Sequence, residues 1–224
     1  MEKNKNFQTL KSIDIRKLKS VEEMDKAMMM RFNELKSQPY YKNLEQFYDT
    51  ELEAGRNMFN NGIAWGAFNE NGEVLALFLA FDLTFEPYTT SKKLLRATEK
   101  LKRMREHSRK FLNSKPGEYC YVGYAVARRD YRRINLLTKI GLLLKDDLLQ
   151  NYGFKGAVAI SVSREGFLGS RNYGFKALKY FGPWGEDDKN EYYLGGEIKE
   201  GMMFQVLIIY NFEKENDSIR KAKL

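Results

Sequence analysis

Between Tyr119 and Phe175 the chain reads YCYVGYAVA, then RRDYRRINLLTKIGLLLKDDLLQNYGF, then KGAVAISVS and, a little further on, SRNYGF. This is a strand, a turn crowded with arginine, a long helix with one apolar side, a second strand and a Gly-Phe pair. No other stretch constrains the fold as strongly. A strand that feeds a helix presents that helix's first backbone N–H groups, which have no carbonyl partner within the helix, and such a turn is suited to an anion. Arg128, Arg129, Arg132 and Arg133 surround the turn and add guanidinium donors that match phosphate oxygens. The helix is expected from Arg133 to about Asn151, with Leu136, Ile140, Leu143, Leu144 and Leu148 on its buried side.

Upstream, Ile13, Ile15 and Leu18 alternate with charged residues as in an opening strand. Ser20 then caps a helix over 21–36, with Glu23 placed for a capping box and Met24, Met28, Phe32 and Leu35 at helical spacing. A second helix is expected from about Asn43 to Phe59. Residues 63–68 and 73–84 read as a hairpin turning at Asn71-Gly72, where both residues tolerate positive φ. Its second strand is nearly all apolar, which implies burial on both faces. After Glu86-Pro87 comes a basic segment in which Leu94, Ala97, Leu101, Met104, Ser108 and Phe111 form one stripe. That pattern predicts an amphipathic helix at about 91–113 docked on the domain, with its lysines and arginines facing outward.

Composition narrows the function classes. The net charge is +8, and the segment from Ser91 to Pro116, with ten Lys or Arg against Glu99 and Glu106, carries all of it. Such a stripe attracts nucleic acid, an anionic surface or an acidic cofactor. Nucleic acid is disfavoured, because Phe111 is the helix's one aromatic residue and belongs to its apolar stripe, leaving no platform for base stacking. One histidine, His107, and one cysteine, Cys120, leave little material for a zinc site or a Cys-His or Ser-His catalytic system, and no metal is expected. The polar N-terminus and the absence of any long apolar run argue against a signal peptide or a membrane span. A single cytoplasmic domain over 1–224 is the expectation; self-association into a homodimer stays open.

The element order (strand, two helices, hairpin, inserted helix, strand, helix, strand, short helix, two strands) fits α/β or α+β architecture. Together with the 119–175 unit it resembles the GNAT superfamily, the Gcn5-related N-acetyltransferases. The inserted helix between the third and fourth strands resembles divergent eukaryotic members such as insect arylalkylamine acetyltransferases and glycine acyltransferase-like proteins. The resemblance implies a mixed, mostly antiparallel sheet flanked by helices, and a site for acetyl-CoA or another acyl-CoA between the fourth and fifth strands.

In that superfamily the fourth strand ends in a pyrophosphate turn of the form Arg/Gln-x-x-Gly-x-Gly/Ala. Asp130-Tyr131-Arg132 resembles the usual entry to it, which puts Asn135 at the first glycine and Leu137 at the second. Asn tolerates a left-handed backbone, whereas Leu137 is the larger departure, and Thr138 offers a hydroxyl. Counting back from Arg132 puts Ala127 where the family has Val, while appearance favours Val126; a bulge in the strand would reconcile the two. The implied cofactor residues are Val126, Ala127, Arg128, Arg132, Arg133, Ile134, Asn135, Leu136, Leu137, Thr138 and Ser163. Arg132 is expected to matter more than any arginine of the inserted helix.

Catalytic roles are less determined. Ser170 stands where the family has a tyrosine acid for the departing thiolate. Tyr121, Glu118 and Glu86 are the candidates for the base, or the holder of a water, that an amine nucleophile needs. Tyr40, Tyr41, Phe47, Phe81, Phe85 and Tyr88 offer an aromatic acceptor pocket. The implied reaction moves an acyl group from CoA to an amine, first of a small molecule and next of a peptide. The lost glycines and tyrosine leave a catalytically silent GNAT-like CoA-binding or interaction module as the alternative.

Overall fold

The computed structural model describes residues 13–36, 48–86, 92–161, 169–171, 174–183 and 204–211, with backbone alone at 92–101, 132, 133, 177–183 and 204–211. In chain order the elements are β1 (Asp14–Lys17), α1 (Val21–Lys36), α2 (Tyr48–Asn60), β2 (Gly62–Phe68), β3 (Val74–Asp82) and α3 (Lys92–Leu112). They continue with β4 (Tyr119–Ala127), a 3-10 turn (Arg129–Ile134), α4 (Leu136–Gln150), β5 (Gly156–Ser161), β6 (Lys176–Pro183) and β7 (Phe204–Asn211). Seven strands form one mixed sheet in the order β1-β2-β3-β4-β5-β7-β6. Among the described strands only β4 and β5 run parallel, joined through α4; every other neighbouring pair is antiparallel.

Helices cover both faces of the sheet. On one, Met24, Ala27 and Met28 of α1 and Ala54 and Met58 of α2 pack on Leu77, Leu79, Phe81, Tyr121 and Val158. On the other, Leu136 and Ile140 of α4 meet Ala67, Leu75, Ala76 and Ala127, while Leu144 and Leu148 meet Ile63, Ala80, Cys120 and Ala157. β3 lies between these layers, which is why its sequence is apolar at nearly every position; Leu75, Leu77, Leu79 and Phe81 are buried. Each such side chain contributes about 1.5–3 kcal/mol through its removal from water. Close packing of α1 on α2 depends on Gly55, where an added Cβ would come within 2.9 Å of the Met28 sulfur.

Local chemistry explains the element ends. Ser20 Oγ accepts the Glu23 N–H at 3.2 Å, as an N-cap does, but the Glu23 carboxylate does not close a capping box. It accepts instead from the Lys19 N–H at 2.7 Å and from the Arg16 guanidinium at 2.8 and 2.9 Å. The β2–β3 connection also differs from a two-residue hairpin, since only Gly72 has positive φ (74°). Asn69 organises this loop, its Oδ1 accepting the Asn71 and Glu73 N–H groups at 3.0 and 2.9 Å.

Three side chains depart from the periodic pattern. Leu143 is exposed, because the buried stripe of α4 follows the four-residue row Leu136, Ile140, Leu144 and Leu148. On α3, Phe111 is exposed and Leu112 packs on the core, continuing the row from Met104 and Ser108. Arg105, expected to face outward, is buried beside Met104.

Candidate active site

The parallel ladder between β4 and β5 covers only part of both strands. It runs from Tyr119↔Gly156 to Val122↔Ala159 and stops, although β4 continues to Ala127 and β5 to Ser161. The two strands therefore part beyond Val122, and the far end of β4 presents an edge to the opening.

A bulge shapes that edge. Against β3, Gly123 pairs with Leu79 and Val126 with Leu77, so Tyr124 and Ala125 together oppose Phe78. Tyr124 takes φ 54°, a left-handed backbone uncommon for an aromatic residue. The extra residue inverts the alternation of faces. Cys120 and Val122 pack toward α4, yet so does Ala127, five residues beyond Val122. Tyr121, Tyr124 and Val126 pack on the α1–α2 side. The bulge lies upstream of both Val126 and Ala127. Because the Arg128 N–H donates to Leu75 O at 2.9 Å, strand alternation turns the Val126 N–H toward β3 and the Ala127 N–H toward the opening.

The turn after β4 is a 3-10 segment, not the start of the long helix, so Arg132 and Arg133 precede α4 by several residues. The break falls at Asn135, whose φ 55° and ψ 35° are left-handed. The asparagine thus adopts a backbone that glycine adopts without cost. The Lys139 N–H donates to Asn135 O at 3.1 Å, and the amides of Leu136 and Leu137 lie ahead of that bond. Leu136 is fully buried, and Leu137 and Ile134 pack partly into the same cluster. Arg128 is engaged locally by Asp130 at 2.7 Å and Glu73 at 3.5 Å, with its guanidinium over the Tyr131 ring. Hydrogen bonding to Asp130, opposed by burial, raises the Arg128 pKa further.

Beneath the bulge lies a charged cluster that sequence reasoning missed. Arg31 of α1 and Glu51 of α2 form a buried ion pair at 2.6 Å, and the Arg31 guanidinium sits 4.2 Å from the centre of the Tyr124 ring. Burial first, then the Glu51 charge, push the Tyr124 phenol well up, with Arg31 opposing. Tyr121 packs at 5.2 Å on the Phe81 ring, and the Arg105 guanidinium lies 5.7 Å from the Tyr121 ring centre. Burial raises its phenol too, against the Arg105 charge. Both hydroxyls stay protonated at neutral pH. Arg31 and Glu51 sit in helices whose pattern reads as ordinary amphipathic packing; a charge on each buried face is the only trace they leave in the sequence.

The remaining candidates are dispersed. Glu86 meets Arg105 at 3.2 Å and Arg109 at 3.9 Å on the α3 side. Glu118 lies at the opposite end of β4 from the bulge, accepting the Lys115 N–H at 2.8 Å and the Lys155 ammonium at 2.9 Å. Those bonds hold its carboxyl below the usual range. Ser170 is half-buried in the helical residues 169–171, and its carbonyl accepts the Phe175 N–H at 3.2 Å, just past Gly174 at φ 89°. Burial pushes the Cys120 thiol well up, which makes it inert packing and no nucleophile. Phe81 and Phe85 meet edge to face at 5.7 Å. Ser163, Tyr40, Tyr41, Phe47 and Tyr88 lie outside the described residues, as do the side chains of Arg132 and Arg133. Among the described residues no helix is long and apolar enough to cross a membrane, and no cluster of three or more His, Cys, Asp or Glu is placed to hold a metal.

No family model and no curated protein matches the sequence. Solved structures do match in shape. The arylalkylamine N-acetyltransferase 2 of Aedes aegypti superimposes with a TM-score of 0.66 at 10% identity, over 89% of this chain and 98% of that one. The C-terminal condensation domain of Ebony in complex with beta-alanyl-dopamine gives 0.63 at 15% identity, again over 89% and 98%. Arabidopsis thaliana NAA60 in complex with acetyl-CoA gives 0.55 at 9% identity, over 90% and 99%. With the parted β4 and β5, the bulge and the left-handed turn before α4, these likenesses identify the fold as that of the GNAT acetyltransferases.

Proposed function

We propose that the protein is an acyl-CoA-dependent N-acyltransferase that moves an acetyl group, or another acyl group, from CoA to the amine of a small molecule. The observation that carries this reading is the opening between β4 and β5, bordered by the bulge at Tyr124 and followed directly by the left-handed Asn135 and the amides that begin α4. An extended pantetheine arm can pair with the edge of β4, and its pyrophosphate can meet the Leu136 and Leu137 amides, joined by Arg132 and Arg133 of the preceding turn. Ser163 is assigned to the β5 side of the same cofactor.

In this reading the thioester carbonyl lies against the bulged end of β4, whose backbone dipoles would stabilise the oxyanion as the amine attacks. The C–N bond forms, the C–S bond breaks, and CoA leaves as a thiolate that takes up a proton. The amine must lose a proton in the same sequence. Tyr121, on the same side of β4 as the Arg31–Glu51 pair, is assigned to hold the water that receives it. Glu118 is given no part, since its carboxylate is committed at the far end of β4. The thioester is already activated, so positioning supplies much of the catalysis and a divergent turn is compatible with turnover.

Calorimetric titration with acetyl-CoA tests the reading. Binding followed by thiol release with an amine supports it; no binding at millimolar cofactor overturns it. Ser170, standing in place of the family's tyrosine, favours one second reading, a silent CoA-binding module, which clear turnover on any amine eliminates. Arg132→Ala should weaken acetyl-CoA binding about 10- to 150-fold, the worth of a charge-assisted contact at about 1.5–3 kcal/mol. Arg103→Ala, on the exposed face of α3, should matter little and mainly at low ionic strength. Equal losses from the two would mean that diffuse charge holds the cofactor.

A further inference from the structure

The outer face of α3 carries charge of one sign that nothing answers. Lys102, Arg103 and Lys110 are exposed, and none of them pairs with a carboxylate among the described residues. The ion pairs described for this helix are those of Arg105 and Arg109 with Glu86. Glu106, the one acid over 102–112, is half-buried and pairs with none of the three. Other helices treat their exposed cations differently. Lys26 of α1 meets Glu22 at 2.8 Å, and Arg56 of α2 meets Asp25 at 2.6 Å. An ordinary solvated face intersperses both signs in this way, whereas a single-sign field is a device for attracting an anionic partner.

The charges are also aligned. Arg103, His107 and Lys110 follow each other at spacings of four and three, and the same spacing carried back along the sequence meets Lys100, Arg96 and Lys93. A row of that period runs straight along a helix, here for about 30 Å. Beside its C-terminal end stands Phe111, 63% exposed and the most exposed large apolar side chain among the described residues. At about 100° per residue, Arg103, His107, Lys110 and Phe111 fall within one side of the helix. Docking of α3 through Met104, Ser108 and Leu112 turns that side away from the sheet.

We propose that this face of α3 rests on an anionic lipid bilayer, with the cation row against the headgroups and the Phe111 ring between them and the acyl chains. A bilayer surface offers a plane of negative charge with an apolar layer just beneath it, and the row with its adjoining phenylalanine matches both parts. Lysine and arginine suit that boundary, because their stems lie along apolar surface while their heads stay in water. A nucleic acid would satisfy the charge, but sequence-tolerant binding to single strands uses a series of stacking rings where α3 has one.

The test is co-sedimentation of the full chain with vesicles of phosphatidylcholine, alone or with about 30% phosphatidylserine. The wild-type protein should favour the anionic vesicles by about 10-fold or more, and the preference should fall as salt is raised. Arg103→Gln with Lys110→Gln should weaken that binding about 25-fold, at about 5-fold for each charge removed. Phe111→Ser should weaken it about 10-fold through the lost apolar contact. Removing the same charge elsewhere, by Lys19→Gln with Lys155→Gln, should cost under about 3-fold. All of these side chains are exposed, so the fold is not at stake. Equal binding to both vesicle types, or an equal loss from the control pair, overturns the inference. So does vesicle binding that Phe111→Ser leaves unchanged, because charge alone would then account for it. Tighter binding to duplex DNA or to RNA than to anionic vesicles overturns it as well, and gives the face to nucleic acid.

Discussion

Asp147 should be among the most costly single positions to alter. It sits on α4 at 5% exposure and joins three elements. Its Oδ2 accepts the Trp65 indole N–H of β2 at 3.0 Å, its Oδ1 accepts the Asn151 amide at 2.7 Å, and Lys17 of β1 stands 2.7 Å away. Asp147→Asn keeps the volume, removes the charge and turns an NH2 group against one of these donors. The Lys17 share is small because that ammonium is 42% exposed and well solvated. The larger part is the half-buried indole donor left facing another donor, at about 1–3 kcal/mol, plus one weakened charge-assisted bond. About 2–4 kcal/mol in all is expected, or roughly 4–16 °C in Tm for a chain of this length.

Urea unfolding followed by tryptophan fluorescence reads the loss, because Trp65 is itself the partner. The pH dependence carries a second signature. Burial pushes the Asp147 carboxyl up, but Lys17, Asn151 and Trp65 outweigh it and hold the carboxyl below its ordinary value. A depressed carboxyl contributes stability that is complete above its unfolded pKa of about 4 and lost as pH falls through the folded value. For Lys17, burial is outweighed by Asp147, so its pKa is raised, and its share is complete below about pH 10 and lost above. The difference between wild type and Asp147→Asn should therefore be flat from about pH 5 to 9 and shrink in acid. A loss under about 1 kcal/mol, or one that grows toward acid, would refute the reasoning.

Other substitutions probe the site. Asn135→Gly should keep or slightly raise thermal stability, while Asn135→Val should lower it by about 1–3 kcal/mol and weaken acetyl-CoA binding, because a β-branched residue resists φ 55°. Calorimetry on both checks this, and an innocuous valine would mean that the left-handed turn is not required. Removing either member of the Arg31–Glu51 pair alone should cost about 3–5 kcal/mol, and Arg31→Met with Glu51→Leu together much less, as urea titrations of the three variants would show. Additive losses would contradict a coupled pair.

The legible parts of this chain were those where one local rule acts alone. The span of α1, the both-sided burial of β3 and the left-handed tolerance of Asn135 follow from spacing, apolar content and side-chain chemistry. Where two elements negotiate, the sequence was ambiguous. Arg105 neighbours Met104 on the helical wheel, and only the docking of α3 decides that both go inward. Phe111 and Leu112 are equally apolar, and the same docking angle exposes one and covers the other. The 3-10 segment before α4 escaped because Arg129–Ile134 carries no helix breaker; its end is set by backbone geometry at Asn135. Arg31 and Glu51 escaped because a charge on a buried helix face announces itself only once its partner, twenty residues away, is in place.

The bulge offers the sharpest separation of cofactor side from acceptor side. Ala125 is exposed and is one of two residues opposing Phe78. Deleting it restores strict alternation, so Tyr124 must turn from the α1–α2 face toward α4, while Val126 and Ala127 keep their faces and the Ala127 N–H still points to the opening. The Arg31–Glu51 pair would lose the ring now stacked on it, and α4 would receive a phenol with no place prepared. Acetyl-CoA affinity should stay within about 3-fold, well under the tenfold that 1.4 kcal/mol represents, while transfer to amines should fall at least about 10-fold. Circular dichroism must first show that the shortened strand folds, since overpacking costs about 1–3 kcal/mol. If acetyl-CoA binding collapses while transfer measured at saturation survives, the bulge shapes the cofactor edge and Tyr124 has no part in the acceptor site.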